Sequence, residues 1–295
     1  MIFILFMAKK DKSGIIYYLS LIGFFAIFST TISKNPVLSL YTKALGADAF
    51  IIGLIAAISP LAGILFSFPI GMISDKIGKK KLLVVSAFIF LISPLLYLFV
   101  SSAAWLIPIR FFHGIATAIL GPVVSSLIVS VYTKDKGEKL GIYSSSTLAG
   151  RTIAPLLAGF ILSYFISYGN FFSFKAVYIA AFLSALPVLI LVSVIKEHKT
   201  ELKKLRLDFY SDLSYIWMEK RILTAALIEM AVYFAFGSLE TYLPLYLSAY
   251  GIEPYKIGII FSVQVLSIAV SQPIFGKIAD RIDKRLQILS GVLML

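Results

Sequence analysis

Long apolar runs separated by short charged intervals organise this chain. Residues 13–33 give 21 positions without a charge, and residues 49–74 give 26. A helix rising 1.5 Å per residue needs about 20 apolar residues to cross a hydrocarbon core of about 30 Å, so both runs are long enough to span a bilayer. Reading the runs against charges and turn residues gives nine helical segments, at 14–38, 49–73, 82–101, 104–131, 140–166, 174–195, 222–247, 255–277 and 286 onward. The last holds 10 residues to Leu295, about 15 Å of helix, so the chain is expected to end within its ninth span. The pattern predicts an all-α, polytopic membrane fold in contact with a lipid bilayer.

Charge placement supplies the orientation. The intervals before the first run and after the second, fourth, sixth and eighth carry 21 lysines and arginines, and the alternate intervals carry only Lys34, Lys43, Lys175 and Lys256. Basic residues accumulate on the cytoplasmic side, so the N-terminus is expected in the cytoplasm and the chain in the plasma membrane as a multi-pass protein. The same distribution accounts for the net charge of +12 without nucleic acid as a partner. Only 14% of residues are charged and the mean hydropathy is +0.94, where a soluble domain carries about 25% charged residues. With no cysteine and two histidines, disulfides and thiolate chemistry are excluded and a metal site has few ligands available. The apolar start, Met1 to Met7, precedes its lysines and so reverses the order of a signal peptide; Met7 is an equally good start.

Residues 196–221 form the longest polar stretch and divide the chain into a six-helix bundle (1–195), a cytoplasmic linker (196–221) and the start of a second bundle (222–295, two helices and part of a third). Leu202, Leu205, Phe209 and Leu213 recur at three- and four-residue steps, the pattern of an interfacial amphipathic helix; a solvated linker is the alternative. The two bundles repeat each other. With a shift of 205 residues, 13 of the 41 positions from 40 to 80 are identical without a gap, among them Gly46 with Gly251, Gly53 with Gly258, Gly71 with Gly276, Asp75 with Asp280 and Lys79 with Lys284. Both copies place their basic loop on the same side, which predicts parallel bundles related by an axis along the membrane normal.

The loop from Gly71 to Lys81 reads GMISDKIGKKK. Gly71 allows helices to approach, Gly78 allows a tight turn, and the Asp75 carboxylate can meet helix ends and basic partners. This loop resembles the GxxxDxxGRKK signature of the major facilitator superfamily. A second copy runs from Gly276 through Asp280 and Lys284, with Asp283 in place of the later glycine. Arg110, His113 and Gly114 are similar to that family's RxxxGxG element on the fourth helix. An arginine at that depth faces the bundle interior or water, or snorkels to the outer interface. His113 is either packed or a proton relay. Gly141, Gly150, Pro155 and Gly159, with alanines at 154 and 158, resemble the Gly-rich fifth-helix motif of the drug/proton antiporter branch; small-residue spacing also serves plain helix packing. Arg151 lies outside that motif, near the expected midplane.

On the seventh segment Glu229 and Glu240 are three turns apart on one face, with Tyr233 between them. The resemblance implies that the first, fourth and seventh helices line a central cavity, so this face is expected to meet Arg110 across the two halves. One glutamate is then a proton carrier, or else part of a static Glu–Arg brace. The first helix lacks the acid often found there in drug/proton antiporters. The family implies transport of a small-molecule substrate by alternating access. No nucleophile–base pair, metal cluster or nucleotide-binding loop is visible, so neither an enzyme nor an ATP-driven pump is expected. The resemblance implies no cofactor, a proton gradient as energy source and a monomer. Three functions stay open: proton-coupled export of small organic molecules or drugs, uptake or exchange of an anionic or sugar-like metabolite, and a truncated membrane protein that does not transport.

Overall fold

The computed structural model describes residues 14–132, 134–195, 218–279 and 291. The linker reading and nearly all of the ninth segment therefore fall outside the described residues. Among those described there are nine α-helices and no strand: α1 (Ile15–Ile32), α2 (Val37–Ala44), α3 (Ala49–Ile77), α4 (Lys79–Tyr97), α5 (Leu106–Val131), α6 (Lys136–Phe165), α7 (Asn170–Val194), α8 (Lys220–Ala249) and α9 (Pro254–Ala279). They supply eight spans long and apolar enough to cross a membrane, because α1 and α2 together form the first, Ile15–Ala44.

The first span departs from the expected boundary at 38. Pro36 has no backbone N–H and disfavours helical geometry at Asn35, so the helix breaks at 33–36 and then continues as α2. The Asn35 amide still closes onto the Thr31 carbonyl at 2.8 Å, and the Ser33 hydroxyl donates to the Ser29 carbonyl at 2.8 Å. Lys34 is thereby held within the span instead of in an outer loop.

The repeat is visible in the backbone. Gly46 and Gly251, equivalent under the 205-residue shift, close the outer ends of their helices with φ of +84° and +75°, a region in which side chains with a Cβ are strained. One step on, Ile52 and Ile257 donate their amides to the carbonyls of the equivalent residues Asp48 and Glu253. The Asp48 side chain also accepts from the Ile51 amide at 2.8 Å, capping α3.

Within the first six spans, α1 packs on α6 and α7, α3 on α5, and α4 on α5 and α7. An inner apolar cluster is built around Leu19, Phe90, Val124 and Val188, and an outer one around Tyr41, Tyr97, Leu106 and Tyr178. Serines tie helices together: Ser29 donates to the Ala181 carbonyl and Ser86 to the Ala116 carbonyl, both at 2.8 Å. Such bonds contribute about 0.6 kcal/mol each in a bilayer. Phe50, Ile64 and Phe99 point outward with 74%, 76% and 82% of their surface exposed, as lipid-facing residues should.

Candidate functional site

The polar chemistry inside the spans gathers at two places. The first lies where the six-span part meets α8. Glu240 accepts from the Lys34 ammonium and from the Asn35 side-chain amide, both at 2.5 Å. The Lys34 and Glu240 side chains are 26% and 17% exposed, so the pair is largely shielded from solvent. The charge of Arg151, on α6, acts on both members. Continuing the repeat upstream places Asn35 on Glu240. Under a two-fold relation, a contact between equivalent positions lies on the axis, so this cluster sits on the pseudo-axis of the two halves.

Around it the halves are in close contact. The Tyr242 hydroxyl donates to the Ala49 carbonyl at 2.9 Å and crowds Gly53. The repeat equivalent of Gly53, Gly258, lies against the Pro155 carbonyl and Gly159 on α6. A Cβ on Gly159 would stand 2.5 Å from the Pro254 carbonyl oxygen, and the Tyr255 amide donates to the Ser163 hydroxyl at 3.0 Å. Of the fifth-helix motif, Pro155 and Gly159 thus meet the second half, and Gly150 lies against α1, with its Cβ position 2.6 Å from the Phe24 carbonyl oxygen. Gly141 has open space beside it. These contacts lie toward the ends of the spans expected on the outer side, where a pocket of about 470 Å³ is lined by Lys43, Ala49, Phe174, Leu245 and Ser248 among others. Toward the other end α8 is largely bare: Glu229 is exposed, and Met230, Tyr233 and Phe234 are 64%, 64% and 78% exposed.

The second place is inside the first six spans. Arg110 is 1% exposed and His113 0%. The His113 Nε2 is 3.0 Å from the Thr30 hydroxyl on α1, and its ring meets Phe90 edge-on at 5.7 Å. The Tyr97 and Tyr178 rings stack at 4.5 Å beside it, and the charge of Arg110 acts on both tyrosines and on His113. Gly114 brings α5 against α3, its Cβ position 2.5 Å from the Ser59 carbonyl oxygen.

One expectation is corrected here. The Glu229–Tyr233–Glu240 face does not meet Arg110. Glu240 is taken by Lys34 and Asn35, Glu229 and Tyr233 are exposed, and Arg110 is enclosed by its own bundle. The break before Pro36 causes this, because it swings a cation and an amide toward α8 ahead of the deeper arginine. Lys34, Asn35, Thr30, Tyr97 and Tyr178 were not singled out from the sequence. The upstream register of the repeat, Asn35 on Glu240, was the signal available for the first two.

The loop between α3 and α4 turns at Gly78, with φ of +101°. Buried Lys79 donates to the Ser126 carbonyl at 3.4 Å, and Lys80 to the Ser193 carbonyl at 3.1 Å, which ties the loop to the ends of α5 and α7. Gly71 makes no close approach to a described neighbour, so the packing role expected of it is not visible. The side chain of Asp75, the surroundings of Gly276, and residues Asp280 and Lys284 lie outside the described set. No cluster of metal-ligating side chains occurs among the described residues.

The comparisons agree with this architecture. The chain is 27% identical over 295 residues to an uncharacterised MFS-type transporter of Methanocaldococcus jannaschii, covering 98% of this chain and 74% of that one. It is 27% identical over 277 residues to the multidrug resistance efflux pump PmrA of Streptococcus pneumoniae, covering 88% and 67%. The fold matches an inward-facing, unoccupied bacterial homologue of the human lysosomal transporter Spinster with a TM-score of 0.77 at 17% identity, over 94% of this chain and 64% of that one. A D-xylose–proton symporter matches with a TM-score of 0.65 at 15% identity, over 85% and 65%. The chain therefore spans less than two thirds of either solved chain. The family model described as Major Facilitator Superfamily matches residues 19–295; with eight helices among the described residues long and apolar enough to cross a membrane and a loop repeated in the sequence, the chain belongs to that family of multi-pass membrane transporters.

Proposed function

We propose that this chain carries out proton-coupled export of small organic molecules by alternating access, with Glu240 as the proton-responsive group. The observation that carries the reading is the ion pair of Glu240 with Lys34, made across the two halves on their pseudo-axis. A carboxylate there holds Lys34 by charge, an attraction that is lost when the group is protonated. A proton arriving from outside neutralises it, frees Lys34, and removes one attraction that keeps the outer ends together. In export the substrate leaves outward and the proton is given up to the cytoplasm, after which the charged pair re-forms. The close contacts toward the outer ends, Tyr242 on the Ala49 carbonyl and Gly258 on the Pro155 carbonyl, support a state closed on that side. Similarity to the multidrug resistance efflux pump PmrA and to the quinolone resistance protein NorA of Staphylococcus aureus supports small organic molecules as the substrate class.

A second reading, uptake or exchange of an anionic metabolite, draws on the exposed Arg151 and the buried Arg110 as carboxylate or phosphate partners. Reconstitution of the chain in liposomes with an imposed pH gradient separates the two. Export requires a fluorescent organic cation to move opposite to protons, with loss of that coupling in Glu240→Gln. Movement in the same direction as protons, or coupling unchanged in Glu240→Gln, overturns the proposal. Absence of any saturable flux supports the non-transporting reading instead.

A further inference from the structure

We propose that the six-span part binds a single small inorganic anion, a halide such as chloride, against Arg110, with Tyr97, Tyr178 and His113 as the other donors. The inference does not rest on the transport reading. Arg110 is 1% exposed, yet its Nε and Nη1 have no hydrogen-bond partner. The same holds for His113 Nδ1 and for the hydroxyls of Tyr97 and Tyr178, although the Tyr97 hydroxyl is near enough to the Arg110 guanidinium to interact with it directly. These are five of the seven buried side-chain atoms without a partner among the described residues, and the charge of Arg110 reaches all three neighbouring residues. The orphaned groups therefore form one cluster.

The cluster lacks negative charge. No described carboxylate pairs with Arg110. Glu240, the shielded carboxylate of α8, is occupied by Lys34 and Asn35, and α1 carries no acid. Lys34 adds a second positive charge within electrostatic reach. A buried guanidinium without a counter-charge is costly in a low-dielectric interior.

The donor inventory decides between an anion and water. Nε and Nη1 offer three N–H groups and the two phenols two O–H groups, against two phenolic oxygens as acceptors. Thr30 holds His113 Nε2, and when that nitrogen accepts from the hydroxyl, Nδ1 becomes a further donor. Water would bring two more donors into a cluster already short of acceptors. A halide brings only acceptor capacity and cancels the charge. The Tyr97 and Tyr178 rings stack on each other and Phe90 lies edge-on to His113, so the donors are set among packed aromatic rings, a setting that favours a small ion over a bulkier carboxylate substrate.

The test is thermal unfolding of the purified chain in nanodiscs, in sodium chloride against sodium gluconate at equal ionic strength, together with binding of radioactive chloride. A halide bound well above its dissociation constant raises the midpoint by on the order of 2–4 °C, with one chloride bound per chain. Arg110→Gln removes both effects, and Tyr97→Phe weakens chloride binding several-fold. Should Arg110→Gln fail to fold, Tyr97→Phe and the isotope stoichiometry of the unmodified chain carry the test. Equal midpoints with no bound isotope mean that water serves the cluster, and the proposal falls. It also falls if the chloride response survives in Arg110→Gln, which would put the ion on the basic loops, or if Tyr97→Phe binds chloride unchanged.

Discussion

Removing the charge of Glu240 should loosen the outer contact between the halves, and the size of the effect can be worked from the geometry. Two unit charges 2.5 Å apart attract by about 7 kcal/mol at an effective dielectric of about 20. That gross value is not what a mutation removes, because hydration competes with the pair. Breaking a fully buried pair costs about 3–5 kcal/mol, and an exposed one below about 1 kcal/mol. With side-chain exposures of 26% and 17%, Lys34–Glu240 falls between these limits, at about 2 kcal/mol. At 1.4 kcal/mol per tenfold, the ratio of closed to open outer contact should drop roughly 30-fold. The chain has no cysteine, so a single cysteine introduced at Ile257, 0% exposed at the contact of α9 with α6, reports opening without background. Glu240→Gln and Lys34→Gln should each raise its modification by a membrane-impermeant maleimide by about that factor. The reversed pair Lys34→Glu with Glu240→Lys should bring it most of the way back. Labelling at the parent rate in both single variants, or no recovery in the reversed pair, would refute the view that this ion pair holds the halves together.

Other substitutions probe neighbouring parts of the same design. Gly258→Val should push α9 away from α6, because a Cβ there lands on the Pro155 carbonyl; over-packing of this kind costs about 1–3 kcal/mol, read as faster labelling at Ile257 and a lower unfolding midpoint. Gly114→Leu strains α5 against α3, where 2.5 Å is available and ordinary contact begins at 3.4 Å; it should lower the unfolding midpoint by several degrees while Gly141→Leu, with open space beside it, leaves it within about a degree. Gly78→Ala forces a Cβ into φ of +101° at a cost of order 1–3 kcal/mol, checked by the same melting experiment. Glu229→Gln should leave the Ile257 labelling rate within about twofold, since Glu229 is exposed; a 30-fold rise would give it the part assigned to Glu240.

Much of the fold was legible because a bilayer permits few solutions. Backbone groups in lipid must bond within their own helix, so each apolar run of sufficient length becomes a span, and the alternation of lysines fixes the count. Boundaries were less legible where a span carries its own polar residues. Lys34 reads as a loop residue by charge, yet Pro36 breaks the helix around it and α2 continues to Ala44. The site was only half legible for a similar reason. Arg110 and Glu240 stand out as charges in apolar surroundings, but which of the available cations meets Glu240 depends on a backbone bend of four residues. The tyrosines around Arg110 carry no periodic or motif signal and are recognised only through their unpartnered hydroxyls.

The internal repeat connects what could be read with what could not. Positions identical in both halves, such as Gly46 with Gly251 and Gly53 with Gly258, hold backbone turns and helix crossings, because both halves need the same scaffold. Positions that differ are free to carry chemistry. Asn35 and Glu240 are equivalent, and they bond to each other. Two glutamates meeting on the axis would repel, and two asparagines would give no charge for Lys34 to hold. One of each makes a symmetric scaffold carry an asymmetric, charge-dependent contact where the two halves meet. In a chain built from two copies of one bundle, matches between the copies therefore mark structure, and a mismatch on the axis marks the place to look for function.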